Sequence, residues 1–295
     1  MGNYVLTCCS TADLSKEYFK ERDIKVVFFH FELDGVEYLD DCGDSISPEE
    51  LFKRMDAGAD TKTSQISVSE YSDFWKPYLE QGLDILHVTV SSGISGTYQS
   101  AMIAREDLME LYPDRKICVV DSLGASSGYG LFVDKLADLR DAGMGIDELY
   151  AWAEENKRKV HHWFYSTDLT YYIRGGRISK TAGMFGQLLN ICPLLNVDHE
   201  GKLTAREKVR GMKKVMQRTV EMMEKHAQDG AGYSEKCFIC HSLRLEQAEM
   251  IAAMIERKFP DLNGKVQIFP IGATIGSHTG PGTLALFFWG DLRED

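Results

Sequence analysis

The sequence predicts an α/β protein of two domains: an N-terminal, mostly parallel sheet with helices on both faces, and a C-terminal mixed α/β domain. Three observations carry this. The chain has 295 residues, and at ~100–200 residues per domain that makes two domains, or one large one. From Tyr4 to Ser166, short apolar runs alternate with amphipathic stretches, the rhythm of strands and helices in a doubly wound sheet. After Ser166 the rhythm changes to short paired strands and long helices, which predicts a mixed sheet. The boundary is expected near residue 166, giving domains 1–166 and 167–295.

Each element follows from local signals. Tyr4–Cys9 reads as a strand, and Ser10-x-x-Asp13 as a capping box opening a helix through Arg22. Lys25–Phe31, rich in β-branched and aromatic residues, reads as one strand. Asp34-Gly35 supplies two residues tolerant of positive φ for a type I′ turn before Val36–Leu39. Ser47-Pro48-Glu49-Glu50 starts a helix with a cap, a proline at the first helical position and a glutamate at the third. Ser67-x-x-Glu70 starts another, which Pro77 is expected to kink or end.

Asp84–Val90 and Lys116–Asp121 read as buried strands, followed by a helix over Thr97–Leu111 and one running to Arg140. A helix over Asp147–Lys159 and a strand over His162–Ser166 close the first half. Beyond it, Asp168–Ile173 and Thr181–Asn190 read as helices, the second stopping before Pro193. Leu194–Val197 and Lys202–Glu207 flank a hairpin turn at Asp198-His199-Glu200-Gly201. Gly211–Asp229 is a long amphipathic helix, Lys236–Cys240 a strand and Arg244–Phe259 a helix. The final strands, Val266–Phe269 and Leu284–Trp289, are separated by a glycine-rich loop.

Composition excludes several classes. Hydrophobic residues make up 44% and charged residues 26%, so a packed core is expected rather than disorder. The net charge of −12 repels phosphate backbones, and nucleic acid is not an expected partner. No apolar run reaches the ~18 residues of a membrane span, and Met1–Ser10 lacks the features of a signal peptide. With an odd number of cysteines, seven, reduced thiols and a cytoplasmic location are expected.

Four polar, glycine-bearing segments stand where strands end: Thr61–Gln65, Ser91–Thr97, Arg174–Ser179 and Ile275–Gly282. In the second, hydroxyls and free N–H groups before a helix suit an anion, and Gly93 and Gly96 let the backbone approach it. Plain helix capping explains the same residues, but capping needs one hydroxyl and this segment has four. His278 lies among glycines and offers a donor or a positive charge to a carboxylate. Arg177, Lys180, Arg206, Lys208 and Arg210 form a basic set that reads equally as a docking face or a solvated surface.

Other patterns lead nowhere. Cys237-Phe238-Ile239-Cys240-His241 matches a haem-attachment spacing, but it sits in an apolar strand and reads as core. His161 and His162 point to opposite faces of a strand, and no zinc or P-loop spacing occurs, so no metal or nucleotide cofactor is expected. Gly93-Ile94-Ser95-Gly96-Thr97 approaches the nucleophile elbow Gly-x-Ser-x-Gly but has Thr97 in its last position.

Ser10–Leu14, Leu33–Tyr38 with Asp40-Asp41, Thr63-Ser64-Gln65, Ser91–Thr97, Asp121-Ser122, Gly175–Ser179, Lys208–Gly211 and His278–Gly282 occur in order. Together they resemble the signatures of the DegV family of bacterial fatty-acid-binding proteins, across almost the whole chain. The resemblance implies a ligand slot between the two domains holding one long-chain fatty acid such as palmitate, stearate or oleate. It implies carboxylate binding by Thr63, Ser64, Ser95, Gly96 and Thr97, with His278 and Thr279 beside them. Some members are the lipid-binding subunits of a bacterial fatty acid kinase, so a kinase partner is expected, with Arg177 and Arg210 as candidates for its docking or for phosphate. A transient contact with a membrane surface is a further expectation. The sequence departs from the family at Cys9, where Asp is usual, and at Ile66, where Pro is usual.

The expected function is therefore non-catalytic binding and presentation of a fatty acid. A serine hydrolase acting on acyl esters through Ser95 and His278 is the alternative, and Thr97 in place of glycine weighs against it. A small-anion or phosphate sensor is a third reading.

Overall fold

The computed structural model describes residues 3–179 and 190–294. The helix expected over Thr181–Asn190 lies outside the described residues except for Asn190.

The first sheet has the order β2-β1-β6-β7, formed by β1 (Tyr4–Cys9), β2 (Ile24–Val27), β6 (Asp84–Thr89) and β7 (Ile117–Asp121). All its pairs are parallel. Leu6, Ile85, Leu86, Val88 and Val120 are buried, as expected of strands covered on both faces. Helices α1 (Lys16–Glu21), α3 (Val68–Glu80), α4 (Thr97–Leu111) and α6 (Ile146–Asn156) pack against it.

The second sheet has the order β10-β9-β8-β13-β11-β12: β8 (Val160–Ser166), β9 (Ile191–Val197), β10 (Leu203–Arg210), β11 (Phe238–His241), β12 (Gln267–Pro270) and β13 (Thr283–Trp289). Only β11 and β12 are parallel to each other; the other pairs are antiparallel. Strand β8, which ends at Ser166, lies inside this sheet. Helices α8 (Met212–His226) and α9 (Leu245–Lys258) cover one side of it.

Helix α5 (Ser126–Asp141) follows a strand of the first sheet but packs on β8, β11 and β13 of the second. It is buried along Ser126–Val133 because it is wedged between layers. Its glycines make the wedge thin: a Cβ at Gly128 would overlap His162 and Phe287, and one at Gly130 would overlap the Ala12 carbonyl and Leu14.

A third sheet stands apart from the two that the sequence predicts. β3 (His30–Leu33), β4 (Val36–Leu39) and β5 (Thr61–Ser64) form a small antiparallel sheet in the order β4-β3-β5. The strand expected over Lys25–Phe31 divides between two sheets. At the break, the Phe29 N–H donates to Ser10 Oγ at 3.0 Å and the Phe29 carbonyl accepts from the Asp40 N–H at 2.8 Å. The Asp34-Gly35 turn is as expected, with φ of 51° and 80°.

Ser47 and Ser67 cap α2 (Pro48–Asp56) and α3, the second with both hydrogen bonds of a capping box. Helix α3 runs through Pro77 to Glu80. Ser10 does not cap a long helix: Ser10–Ala12 is a short 3-10 turn ended by Asp13 at φ 46°, and Ser15 caps α1. Pro193 stands inside β9 rather than just before it. Strand β8 pairs β9 only at Leu194–Asn196, so at Pro193 that edge has no partner needing its N–H. The glycine-rich loop before the last strand contains helix α10 (Ala273–Thr279), preceded in the chain by α7 (Thr170–Arg174) and the longer α8 and α9. No helix among the described residues is long and apolar enough to cross a membrane.

Candidate functional site

A cavity opens beyond the carboxyl end of β6, bounded by the start of α5, the second sheet and α10. Open parallel sheets place ligands at such strand ends. Its walls are apolar: Val90 and Ala125 on one side, Phe164, Ala285 and Phe287 on the other, and Ile271 and Leu203 at the edges. Thr63, Gln65, Ser95, Gly96, Arg177, His278 and Thr279 also line it.

Thr63 comes from β5, paired with Phe31 of β3, so the small sheet presents it. His278 comes from α10. The two elements are joined by Thr61 Oγ1 donating to the Ser277 carbonyl at 3.3 Å and by Thr63 Oγ1 lying 2.7 Å from His278 Nε2. Buried Asp40 fixes the start of α10, accepting from the N–H groups of Ala273 and Thr274 at 3.1 Å each. A carboxylate at a helix N-terminus answers both the unpaired N–H groups and the dipole.

Burial, with a smaller contribution from the nearby Arg177 charge, pushes the His278 pKa down to about 4. The ring is therefore neutral at pH 7. Its Nδ1 is buried with no partner. We assign the proton to Nε2, donating to Thr63, because a bare acceptor at Nδ1 costs less than an unmet N–H. The Thr63 hydroxyl hydrogen is then free for an anion in the cavity.

Ser95 and Gly96 stand at the start of α4. Gly96, its N-cap, has no side chain to cap it and its first turn has no acidic residue; Ser95 Oγ accepts from the Thr97 N–H at 3.3 Å, but no negative charge of the first turn faces the helix start. Gly96 is packed against the Gln65 amide, and Gln65 in turn donates to Ser100 Oγ at 3.0 Å.

The other expected site residues divide. Thr279 lines the cavity with its hydroxyl buried and unpartnered. Thr97 is buried against the Tyr71 hydroxyl at 2.9 Å, and Ser64 is exposed; neither lines the cavity. Arg177 lines it, half-buried, with Nε and Nη2 donating to the Ile94 carbonyl at 3.1 and 2.9 Å and Nη1 to the Gly175 carbonyl at 2.6 Å. Arg210 is exposed on β10 and does not line the cavity. Sequence reasoning missed Thr11 and Thr274, whose hydroxyls are buried, unpartnered and on the cavity wall. Thr11 lay within a matching string; Thr274 carries no local signal. Cys9, the departure at the end of β1, is not in the cavity wall: its Sγ lies 3.3 Å from the Tyr71 hydroxyl and 3.6 Å from His87 Nε2.

The arrangement does not form a hydrolytic triad. No hydrogen bond joins Ser95 to His278 among the described residues; Ser95 Oγ accepts from the Thr97 N–H at 3.3 Å instead. A ring with a pKa near 4 is a weak base, and its Nδ1 has no carboxylate to orient it.

The model of the DegV family matches residues 7–291. The chain belongs to the DegV family. A DegV domain-containing protein of Clostridium perfringens is 40% identical over 294 residues, covering 100% of both chains. Among solved structures, a fatty-acid-binding DegV protein from Thermus thermophilus is similar with a TM-score of 0.86 and 27% identity, over 97% of this chain and 99% of that one. The fatty acid kinase B3 protein of Streptococcus pneumoniae, loaded with linoleic acid, is similar in fold with a TM-score of 0.84 at 24% identity, over 99% of this chain and 100% of that one. The α/β architecture with a parallel and a mixed sheet is that of DegV structures.

Proposed function

We propose that this chain binds one long-chain fatty acid in the cavity, with the tail along the apolar walls and the carboxylate at Thr63, Ser95 and the start of α4, beside His278 and Thr279. The observation that carries the reading is a predominantly apolar cavity whose polar groups include a helix start with no acidic residue in its first turn and a hydroxyl held by a neutral histidine. Burying a dozen methylenes contributes about 10 kcal/mol at ~0.8 each, before the costs of binding. The polar groups then orient the acid more than they hold it. The fatty acid in the Thermus relative supports the same ligand class here.

The chain has no P-loop, so activation of the carboxylate to an acyl phosphate falls to a separate ATP-using kinase. The fold shared with the fatty acid kinase B3 protein supports that partner. The role of this chain is to keep the tail out of water and present the carboxylate. The test is reconstitution: fatty acid-loaded protein with ATP and a bacterial fatty acid kinase subunit is expected to yield acyl phosphate, and neither protein alone is. Acyl phosphate from this chain alone would refute the assignment of roles.

A further inference from the structure

On the opposite side of the second sheet from the cavity, His161 on β8, His226 at the end of α8 and Asp291 just after β13 converge, with one ligand atom from each within 4.8 Å of the others. Side chains alternate along a strand, so His162 lines the cavity while His161 turns to the other face. There its ring stacks on that of His226, with centroids 5.0 Å apart. His161 Nε2 lies 2.8 Å from Asp291 Oδ1, and His226 Nδ1 lies 3.2 Å from each Asp291 carboxylate oxygen. Donor atoms around a tetrahedral zinc ion with bonds of ~2.0–2.1 Å stand ~3.3 Å apart.

The three side chains are held by their surroundings. The Asp291 N–H donates to the His226 carbonyl and the Gln228 N–H to the Trp289 carbonyl, both at 3.0 Å, which clamps the end of α8 to the end of β13. Gly290 makes the clamp close, since a Cβ there would overlap the His226 carbonyl and the His161 ring. Phe288 stacks under His161 at 5.3 Å and Trp163 on His226 at 5.8 Å.

We propose that His161, His226 and Asp291 bind a divalent metal ion of the zinc class, with solvent completing the coordination on the exposed Asp291 side. Two imidazoles and a carboxylate are a common zinc donor set when a position is left open. His161 Nε2 also lies 3.0 Å from the Asp291 carbonyl oxygen, so an ion taking this nitrogen displaces its proton, which Nδ1 can carry instead. His226 sits at a helix C-terminus, where the dipole favours a cation. Arg293 opposes the ion's charge, but its guanidinium is directed to the carbonyls of Val197, Asp198 and Leu123. The site is independent of the proposed lipid function.

The test is calorimetric titration of zinc chloride into chelator-treated protein, with X-ray absorption on the loaded sample. The expected result is one ion per chain, with nitrogen and oxygen neighbours at ~2.0–2.1 Å and no sulfur at ~2.3 Å. His226→Ala and Asp291→Asn are each expected to weaken zinc binding at least about tenfold and to leave fatty acid binding unchanged. The half-buried position of His226 and the exposure of Asp291 make folded variants the expectation, which circular dichroism checks. Absence of binding, undiminished binding in both variants, or a sulfur shell from the free cysteines would overturn the proposal.

Discussion

Thr63 Oγ1 stands 2.7 Å from His278 Nε2, joining segments 215 residues apart at the wall of the cavity. The contact orients the threonine hydroxyl from behind, so that its hydrogen faces the space where a carboxylate is proposed. It also holds the small antiparallel sheet against α10.

Removing that hydroxyl tests its contribution. Thr63→Val keeps the shape of the side chain, and Ser95→Ala removes the second hydroxyl. A hydrogen bond to a charged group is worth about 1.5–3 kcal/mol, so each variant is expected to weaken fatty acid binding by about tenfold to a hundredfold. Displacement of a fluorescent fatty acid measures this. Unchanged affinity in the double variant would place the carboxylate elsewhere.

Acid should loosen the protein partly through His278. Its folded pKa, about 4, lies below the ordinary 6.5, so between those values the unfolded chain binds the additional proton. The stability linked to this ring is therefore complete above pH 6.5 and falls as pH drops toward 4, by up to about 1.4 kcal/mol per pH unit. The buried rings of His87 and His162 are shifted downward as well and act with the same sign. Buried Asp13 and Asp40, shifted upward, act with the opposite sign over an overlapping range. The informative quantity is thus a difference: denaturation midpoints between pH 6.5 and 4 should fall less steeply in His278→Gln than in the parent. Parallel slopes would mean that His278 is not held neutral.

The apolar end of the cavity sets which tails fit. Ala285 lines it from the middle of β13. Ala285→Leu fills part of the space and is expected to reduce binding of eighteen-carbon acids more than that of ten- or twelve-carbon acids, with the folded protein no less stable. Competition between acids of different length reads this directly. Unchanged binding at every length would mean that the tail does not reach β13.

The two arginines should behave differently. Arg210 is exposed and outside the cavity wall, whereas Arg177 braces the Ile94 carbonyl at the entrance to the α4 segment. Arg210→Glu is expected to lower kinase-dependent acyl phosphate formation several-fold with fatty acid retention intact. Arg177→Ala is expected to lower both. Retention assays run beside the kinase assay separate the two effects.

Where an element's cause is local, it was legible in the sequence. Ser47 and Ser67 announce α2 and α3, and Asp34-Gly35 announces its hairpin, because cap and turn chemistry lies within four residues. Helix α10 has no local signal, because Ala273–Thr279 carries two threonines, a serine and a glycine, and its start is held by Asp40, more than two hundred residues upstream. Continuity of apolar residues hid the division of Lys25–Phe31, since a run of that kind suits one buried strand as well as two that change sheets at Phe29. In the site, the strings containing Thr63, Ser95 and His278 pointed to residues that share the cavity wall. They also included Ser64 and Thr97, which turn away, because a motif marks a segment and the backbone decides which side chain faces the cavity. The cluster of His161, His226 and Asp291 has no sequence spacing at all, being assembled from three distant elements.

The central claim is that the cavity holds one long-chain fatty acid. Native mass spectrometry of the protein purified from bacteria, followed by denaturing extraction and identification of the lipid, tests it most directly. One fatty acid per chain is expected, lost or markedly reduced in the Thr63→Val, Ser95→Ala double variant. An empty protein that also fails to take up added palmitate or oleate would contradict it.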